Sequence, residues 1–145
     1  MIKLTLLEAQ MNQIISHARD CVPRECCGLI GGRDARTQTV YPLRNVAPDP
    51  LVAYEVAPED LFAAQRAMRE RDEQLLAIYH SHPRAADPTP SNTDVRLAYY
   101  PSAVYFIVGL GGEQSCLRAF RISEREGRWQ SAEYAVVADA QSVKQ

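Results

Sequence analysis

Two of the three histidines in this 145-residue chain stand two positions apart in His80-Ser81-His82-Pro83, and an acidic residue follows in Ser91-Asn92-Thr93-Asp94. Strand side chains alternate with a period of two, so His80 and His82 on a strand project from one face and can meet one ion. Asp94, in the first turn of a helix capped by Ser91, supplies a carboxylate. Two neutral nitrogens and one anionic oxygen leave a fourth tetrahedral position for water, the pattern of a catalytic zinc; structural zinc fills all four positions, usually with cysteine. A water acidified to a pKa of about 7 needs a base to carry its proton, and a carboxylate outside the ligand set suits that role. Glu25 is the best candidate, because it begins an apolar strand where burial raises a carboxyl pKa. Each residue also has an ordinary reading: a hydrogen-bonded polar patch for the histidine pair, a solvated loop carboxylate for Glu25, a plain helix cap for Ser91. The third histidine, His17, reads as a solvated helix residue.

The elements that must position these residues follow from periodicity. Thr5-Leu6-Leu7-Glu8 reads as a capping box, and Leu7, Met11, Ile14, Ile15 and Ala18 follow at helical spacing, predicting an amphipathic helix that ends before Pro23. The apolar run 26–30, closed by Gly31-Gly32, predicts a buried strand beginning near Glu25, with residues 37–46 as its hairpin partner. A short strand is expected at 52–56. Pro58 suits the first turn of a helix that carries Leu61, Ala64 and Met68 on one face. Residues 75–82 form the histidine-bearing strand, with Leu76, Ile78, His80 and His82 on one parity, and this places the histidines at a sheet edge facing the loop 83–90. Ser91 then caps a short helix, residues 103–109 form a central strand, and 115–122 and 129–137 form two more. This order predicts an α+β fold, one mixed or antiparallel sheet flanked by helices. The expected organisation is a single domain over residues 1–138 with a frayed tail at 139–145.

Charge and composition exclude several classes of function. The net charge is −2. Residues 1–72 carry 9 basic and 10 acidic side chains, residues 73–145 carry 7 and 8, and neither half forms a basic stripe. Because counterion release from a polyanion needs clustered Lys and Arg, nucleic-acid binding is excluded as the main activity. Fourteen of the sixteen basic residues are Arg, whose planar forks suit carboxylates and backbone carbonyls, so protein partners are expected instead. No apolar run reaches the length of a membrane span, and the N-terminus lacks the profile of a signal peptide, which points to the cytoplasm. In that reducing compartment Cys21, Cys26, Cys27 and Cys116, which form no CxxC pair, read as small buried hydrophobes.

Glu25-Cys26-Cys27-Gly28-Leu29-Ile30, followed by His80-Ser81-His82-Pro83, Ser91 and Asp94, resembles the JAMM, or MPN+, metalloproteases of the bacterial and archaeal stand-alone type, whose signature is a Glu, then HxHP, then SxxD. Apolar blocks at 77–79 and 103–109 fall in the family's order, so the resemblance spans nearly the whole chain. It implies a single MPN domain of cytidine-deaminase-like layout, one zinc held by His80, His82 and Asp94, Glu25 activating the water, and Ser91 donating to the developing oxyanion. The implied activity is hydrolysis of the amide bond after the C-terminal tail of a ubiquitin-like or sulfur-carrier protein, with a small-residue tail and a homodimer as an open possibility. With nearly all of the chain used by the catalytic fold, a minimal enzyme that recognises mainly the tail is expected.

One departure is that eight residues, 83–90, separate His82 from Ser91, one more than the usual family spacing. An extra loop residue can bulge outward without moving Asp94. The run Asp87-Pro88-Thr89-Pro90-Ser91 also resembles the related RadC-like branch, which usually adds an N-terminal helical domain not expected here. The competing reading is a non-catalytic MPN scaffold that binds partners; such relatives usually lack one or more ligands, and this chain has them all. A zinc nucleobase deaminase would need HxE with PCxxC, and neither occurs.

Overall fold

In chain order the elements of this computed structural model are β1 (Leu4–Leu7), α1 (Glu8–Cys21), β2 (Cys27–Arg33), β3 (Arg36–Leu43), α2 (Pro58–Glu70), β4 (Gln74–His82), α3 (Asn92–Arg96), β5 (Val104–Gly109), β6 (Cys116–Ser123), β7 (Arg128–Ser131) and β8 (Tyr134–Val137). Residues 3–138 are described, so the expected frayed tail at 139–145 lies outside the described residues. The strands form one mixed sheet in the order β7-β6-β5-β4-β2-β3-β1-β8. Alternating side chains give it two apolar faces. On one, Ile14 and Ala18 of α1 meet Ile30, Ala77, Tyr79 and Phe106. On the other, Ala64 and Met68 of α2 meet Leu29, Ile78, Tyr105 and Ile107, with Val95 of α3 packed alongside. The expected α+β architecture is the one observed. No helix among the described residues is long and apolar enough to cross a membrane.

The topology explains where the histidines lie. β4 pairs antiparallel with β2 and parallel with β5, so the histidine-bearing strand is central rather than marginal. His80 stands opposite Cys27 on one side and Ile107 on the other. The histidines therefore occupy the C-terminal end of an interior strand, not the edge of the sheet expected from sequence. Because β2 runs antiparallel to β4, its entry point falls beside the exit of β4, and Glu25 is brought next to the histidines by register alone.

Four further differences have local causes. Thr5 is not a helix cap but part of β1, which pairs parallel with β8; the helix starts at Glu8, and the Gln10 side chain accepts the Leu7 amide at 3.0 Å. Gly31 and Gly32 do not close β2 but lie within it, and the hairpin turns at Asp34 and Ala35, both at positive φ (54° and 60°), as a two-residue turn between twisted strands requires. Residues 52–56 make only a single bridge, Asn45 to Val56, because Asn45 draws that segment into a loop. The expected strand 129–137 is two strands on opposite edges of the sheet, separated only by Ala132 and Glu133. So short a link spans about 10 Å, and the sheet must coil until its edges nearly meet. Ala132 donating to the Ala119 carbonyl at 2.9 Å and the Tyr134 hydroxyl donating to the Leu117 carbonyl at 2.6 Å hold that crossing.

His17 is not a freely solvated residue either. Its Nδ1 lies 2.7 Å from the hydroxyl of Tyr79, which is fully buried. Tyr79 fits because its neighbour across β2 is a glycine: a Cβ on Gly28 would stand 2.2–2.4 Å from three atoms of the Tyr79 side chain. Gly28→Ala is therefore expected to lower stability by about 1–3 kcal/mol. Urea denaturation followed by circular dichroism reads this as an earlier midpoint, and an unchanged midpoint would show that Tyr79 can move aside.

Candidate active site

His80 and His82 leave the same face of β4, as their parity predicts, and their Nε2 atoms stand 3.2 Å apart. Asp94 reaches the same point from α3: its Oδ2 lies 3.1 Å from His80 Nε2 and 3.0 Å from His82 Nε2. The capping box fixes that reach. Ser91 Oγ accepts the Asp94 amide at 3.0 Å, and Asp94 Oδ2 accepts the Ser91 amide at 2.9 Å, so the oxygen facing the histidines is held by its own helix start. Donor atoms around a tetrahedral ion with bonds of about 2.0–2.1 Å stand about 3.3 Å apart, and the three observed separations fall just inside that edge. Two imidazole nitrogens and a carboxylate are also a donor set that zinc accepts.

The eight-residue loop leaves this arrangement intact, although it does not simply bulge into solvent. Pro88 and Pro90 are buried, Gly111 donates to the Ala85 carbonyl at 2.9 Å, and Arg118 binds Asp87 at 3.1 Å. Gly109 and Gly111 admit the loop, since a Cβ on either would stand 2.5 or 2.2 Å from the carbonyl oxygen of Ala85 or Arg84. The extra length is absorbed against the ends of β5 and β6.

Glu25 is 5% exposed and completes the cluster, with donor atoms of Glu25, His80 and His82 all within 4.8 Å of one another. Its Oε1 is buried with no hydrogen-bond partner among the described residues. Burial pushes the Glu25 carboxyl up to about 7, against the pull of His82 and with Asp94 adding to the rise. Burial opposes charge on Asp94 too, yet His80, His82 and the Ser91 amide outweigh it and hold that carboxyl well below the usual range. On His82 burial lowers the pKa, but the hydrogen bond and charge of Asp94 and the charge of Glu25 prevail and raise it. Two carboxyls beside one histidine pair thus differ in proton affinity, the condition under which one serves as a fixed anion and the other exchanges protons. Ser91 is exposed at the rim, and because its oxygen accepts from Asp94, its hydroxyl hydrogen remains free to donate.

Sequence reasoning missed three residues that build this site. Ser81, fully buried between the histidines, accepts the Cys26 amide at 2.8 Å and so fixes the backbone beside Glu25. Asn45 donates to the Glu25 carbonyl at 3.0 Å. Tyr54 stacks on His80 with ring centroids 4.6 Å apart. Asn45 did carry a signal, an Asn ahead of a Pro-rich stretch being a turn former; that it would reach Glu25 depends on the tertiary fold. On the same sheet face a separate cleft of about 670 Å³ lies between α2, β4 and β5, walled by Tyr54, Leu61, Met68, Ile78, Tyr100 and Tyr105, with Tyr54 common to it and the site.

The coiled mixed sheet with helices on both faces is a fold already represented among solved structures. The solution structure of a Desulfitobacterium hafniense protein superposes with a TM-score of 0.83 at 31% identity, covering 98% of both chains. Residues 7–123 match the Prok-JAB family, prokaryotic homologs of the JAB domain, and the chain belongs to that family. Among curated relatives, a desampylase of Haloferax volcanii is 39% identical over 119 residues, covering 78% of this chain and 85% of that one. A CysO-cysteine peptidase of Mycobacterium tuberculosis is 35% identical over 115 residues, covering 77% of each. The family resemblance drawn from the motif holds.

The raised pKa of Glu25 has a measurable consequence for chelator-treated protein. A carboxyl that binds its proton more tightly when folded contributes stability that is complete below about pH 4.5 and is lost as pH rises through about 7. Glu25→Gln removes that titration. The variant should gain on the wild type across this window, by about 1–3 kcal/mol at its upper end, in urea denaturation at a series of pH values. Parallel curves for the two proteins would show that Glu25 titrates as an ordinary carboxyl.

Proposed function

We propose that this protein is a zinc-dependent peptidase or isopeptidase that hydrolyses the amide bond after the C-terminal tail of a ubiquitin-like or sulfur-carrier protein. The observation that carries the reading is the convergence of His80, His82 and Asp94 to within 3.2 Å beside a buried carboxyl with an unpartnered oxygen. Membership of the JAB family and the peptidase name of one relative support the hydrolytic class. The names desampylase and CysO-cysteine peptidase support the substrate class. Four free thiols, two of them buried, suit a cytoplasmic enzyme.

His80, His82 and Asp94 would hold the metal. The chemistry that zinc supplies when bound is polarisation of a carbonyl and acidification of water. Glu25 takes a proton from the attacking water on its Oε1 and returns it to the departing amine nitrogen, a transfer favoured by a carboxyl that is buried yet within reach of the site. Ser91 directs its free hydroxyl hydrogen to the oxygen that gains charge as the carbonyl carbon becomes tetrahedral. A tail ending in glycine suits this reading, since a residue without Cβ lets the substrate backbone approach the site most closely. The apolar cleft beside Tyr54 takes side chains that precede the tail.

Purified protein should hold about one zinc per chain by mass spectrometry of the metal, and Glu25→Ala should retain it while hydrolysis of a carrier-tail amide falls by 100-fold or more. His80→Ala should lose both metal and activity. Full activity in Glu25→Ala would remove the proposed base, and full zinc occupancy in His80→Ala would remove the proposed ligand set. The substrate class is tested by incubating the enzyme with ubiquitin-like proteins of the same genome bearing amide-linked adducts and reading the cleaved mass.

A further inference from the structure

Histidines that bind metals as a rule donate their second ring N–H to a carboxylate, a carbonyl or water, which fixes the tautomer and the plane of the ring. For His80 no carboxylate or carbonyl among the described residues takes that part. Its Nε2 faces His82 and Asp94, while its Nδ1 is buried with no hydrogen-bond partner among the described residues. The χ2 torsion of histidine is broad, so a ring without that bond has no intrinsic reason to keep one plane. Tyr54 stands against it instead: the ring planes are inclined by 27° at a centroid distance of 4.6 Å, within the range of offset stacking.

Tyr54 lies outside every helix and strand, yet its backbone is held on both sides by one side chain. Asn45 Nδ2 donates to the Ala53 carbonyl at 3.0 Å, and Asn45 Oδ1 accepts the Glu55 amide at 3.0 Å. The remaining capacity of the same amide goes to the Glu25 carbonyl and the Ala47 N–H, each at 3.0 Å, so all four of its hydrogen-bonding positions are used. The Val46 amide donating to the Glu55 carbonyl at 2.8 Å closes the turn. One buttressed loop therefore reaches both His80, through a ring face, and Glu25, through its backbone.

We propose that Tyr54 is a positioning residue that sets the plane of the His80 imidazole by stacking, where no protein group among the described residues binds Nδ1, and that Asn45 holds Tyr54 and Glu25 in one frame. This inference rests on the zinc reading above. The face of the ring acts, not the hydroxyl, so phenylalanine can replace Tyr54 and an aliphatic side chain of similar bulk cannot.

The test is zinc affinity, measured by competition with a chromophoric chelator, for the wild type, Tyr54→Phe, Tyr54→Leu and Asn45→Ala. Thermal unfolding of the chelated proteins serves as a check on folding. Tyr54→Phe should stay within about threefold of the wild type, whereas Tyr54→Leu and Asn45→Ala should bind zinc about 10–100-fold more weakly. The cobalt(II)-substituted Tyr54→Leu protein should show an altered visible absorption band, a signature of ligand geometry that a general loss of stability does not produce. Wild-type affinity in Tyr54→Leu would overturn the role of the ring, and equal losses in Phe and Leu variants would transfer it to the hydroxyl. Unchanged affinity in Asn45→Ala would overturn the frame. A wild type that binds no zinc would overturn the metal reading itself, which these variants leave standing in every other outcome. Should Tyr54→Leu not fold, Tyr54→Met makes the same comparison.

Discussion

The structure is organised around the mutual approach of three electron-pair donors, two histidine nitrogens and one aspartate oxygen, to within 3.2 Å of one another in a mostly buried pocket. Such a gathering is unfavourable unless a cation or protons compensate it, and it persists only if each donor is separately restrained. His80 is held by pairing of its strand on both sides. Asp94 is held by reciprocal bonds with Ser91 at a helix start. His82 closes the strand at the point where the loop begins, and the Ala85 amide returns to its carbonyl at 3.0 Å. Three kinds of restraint, a sheet ladder, a helix cap and a turn, deliver three atoms to one place.

Topology converts these local restraints into a site. An interior strand bearing the two histidines is flanked by a strand of opposite direction, so the segment that enters the neighbour arrives where the histidine strand leaves. Glu25 needs no long excursion to reach the histidines, and the Ser81 hydroxyl beneath it secures the crossing. Arg118 of β6 and the close approach at Gly109, the end of β5, and at Gly111 just after it form the bed for the loop 83–90. The eight-residue loop packs there while Asp94 keeps its place beside the histidines.

How much of this was legible in the sequence follows from the range of each interaction. The helix at Pro58, the hairpin after Glu25, the parity of His80 and His82 and the Ser91 cap depend on neighbours a few residues away, and all were readable. The central position of β4, the division of 129–137 into two strands and the membership of Thr5 in a strand depend on pairing between distant segments, where local patterning has no purchase. Thr5 shows this well: its capping-box pattern is real, but the parallel partner offered by Ala135 outweighs it. In the site, the charged and ligand-type residues announced themselves by chemistry. Asn45, Tyr54 and Ser81 did not, because an amide, a phenol and a hydroxyl are common and become informative only once their partners are known.

The central claim, that His80, His82 and Asp94 form a metal site in this chain, is tested most directly by zinc-edge X-ray absorption on the purified protein. The account predicts an innermost shell of nitrogen and oxygen only, at about 2.0–2.1 Å, with the outer scattering of two imidazoles. Sulfur at about 2.3 Å would contradict it, since the metal would then belong to a cysteine such as Cys26 or Cys27.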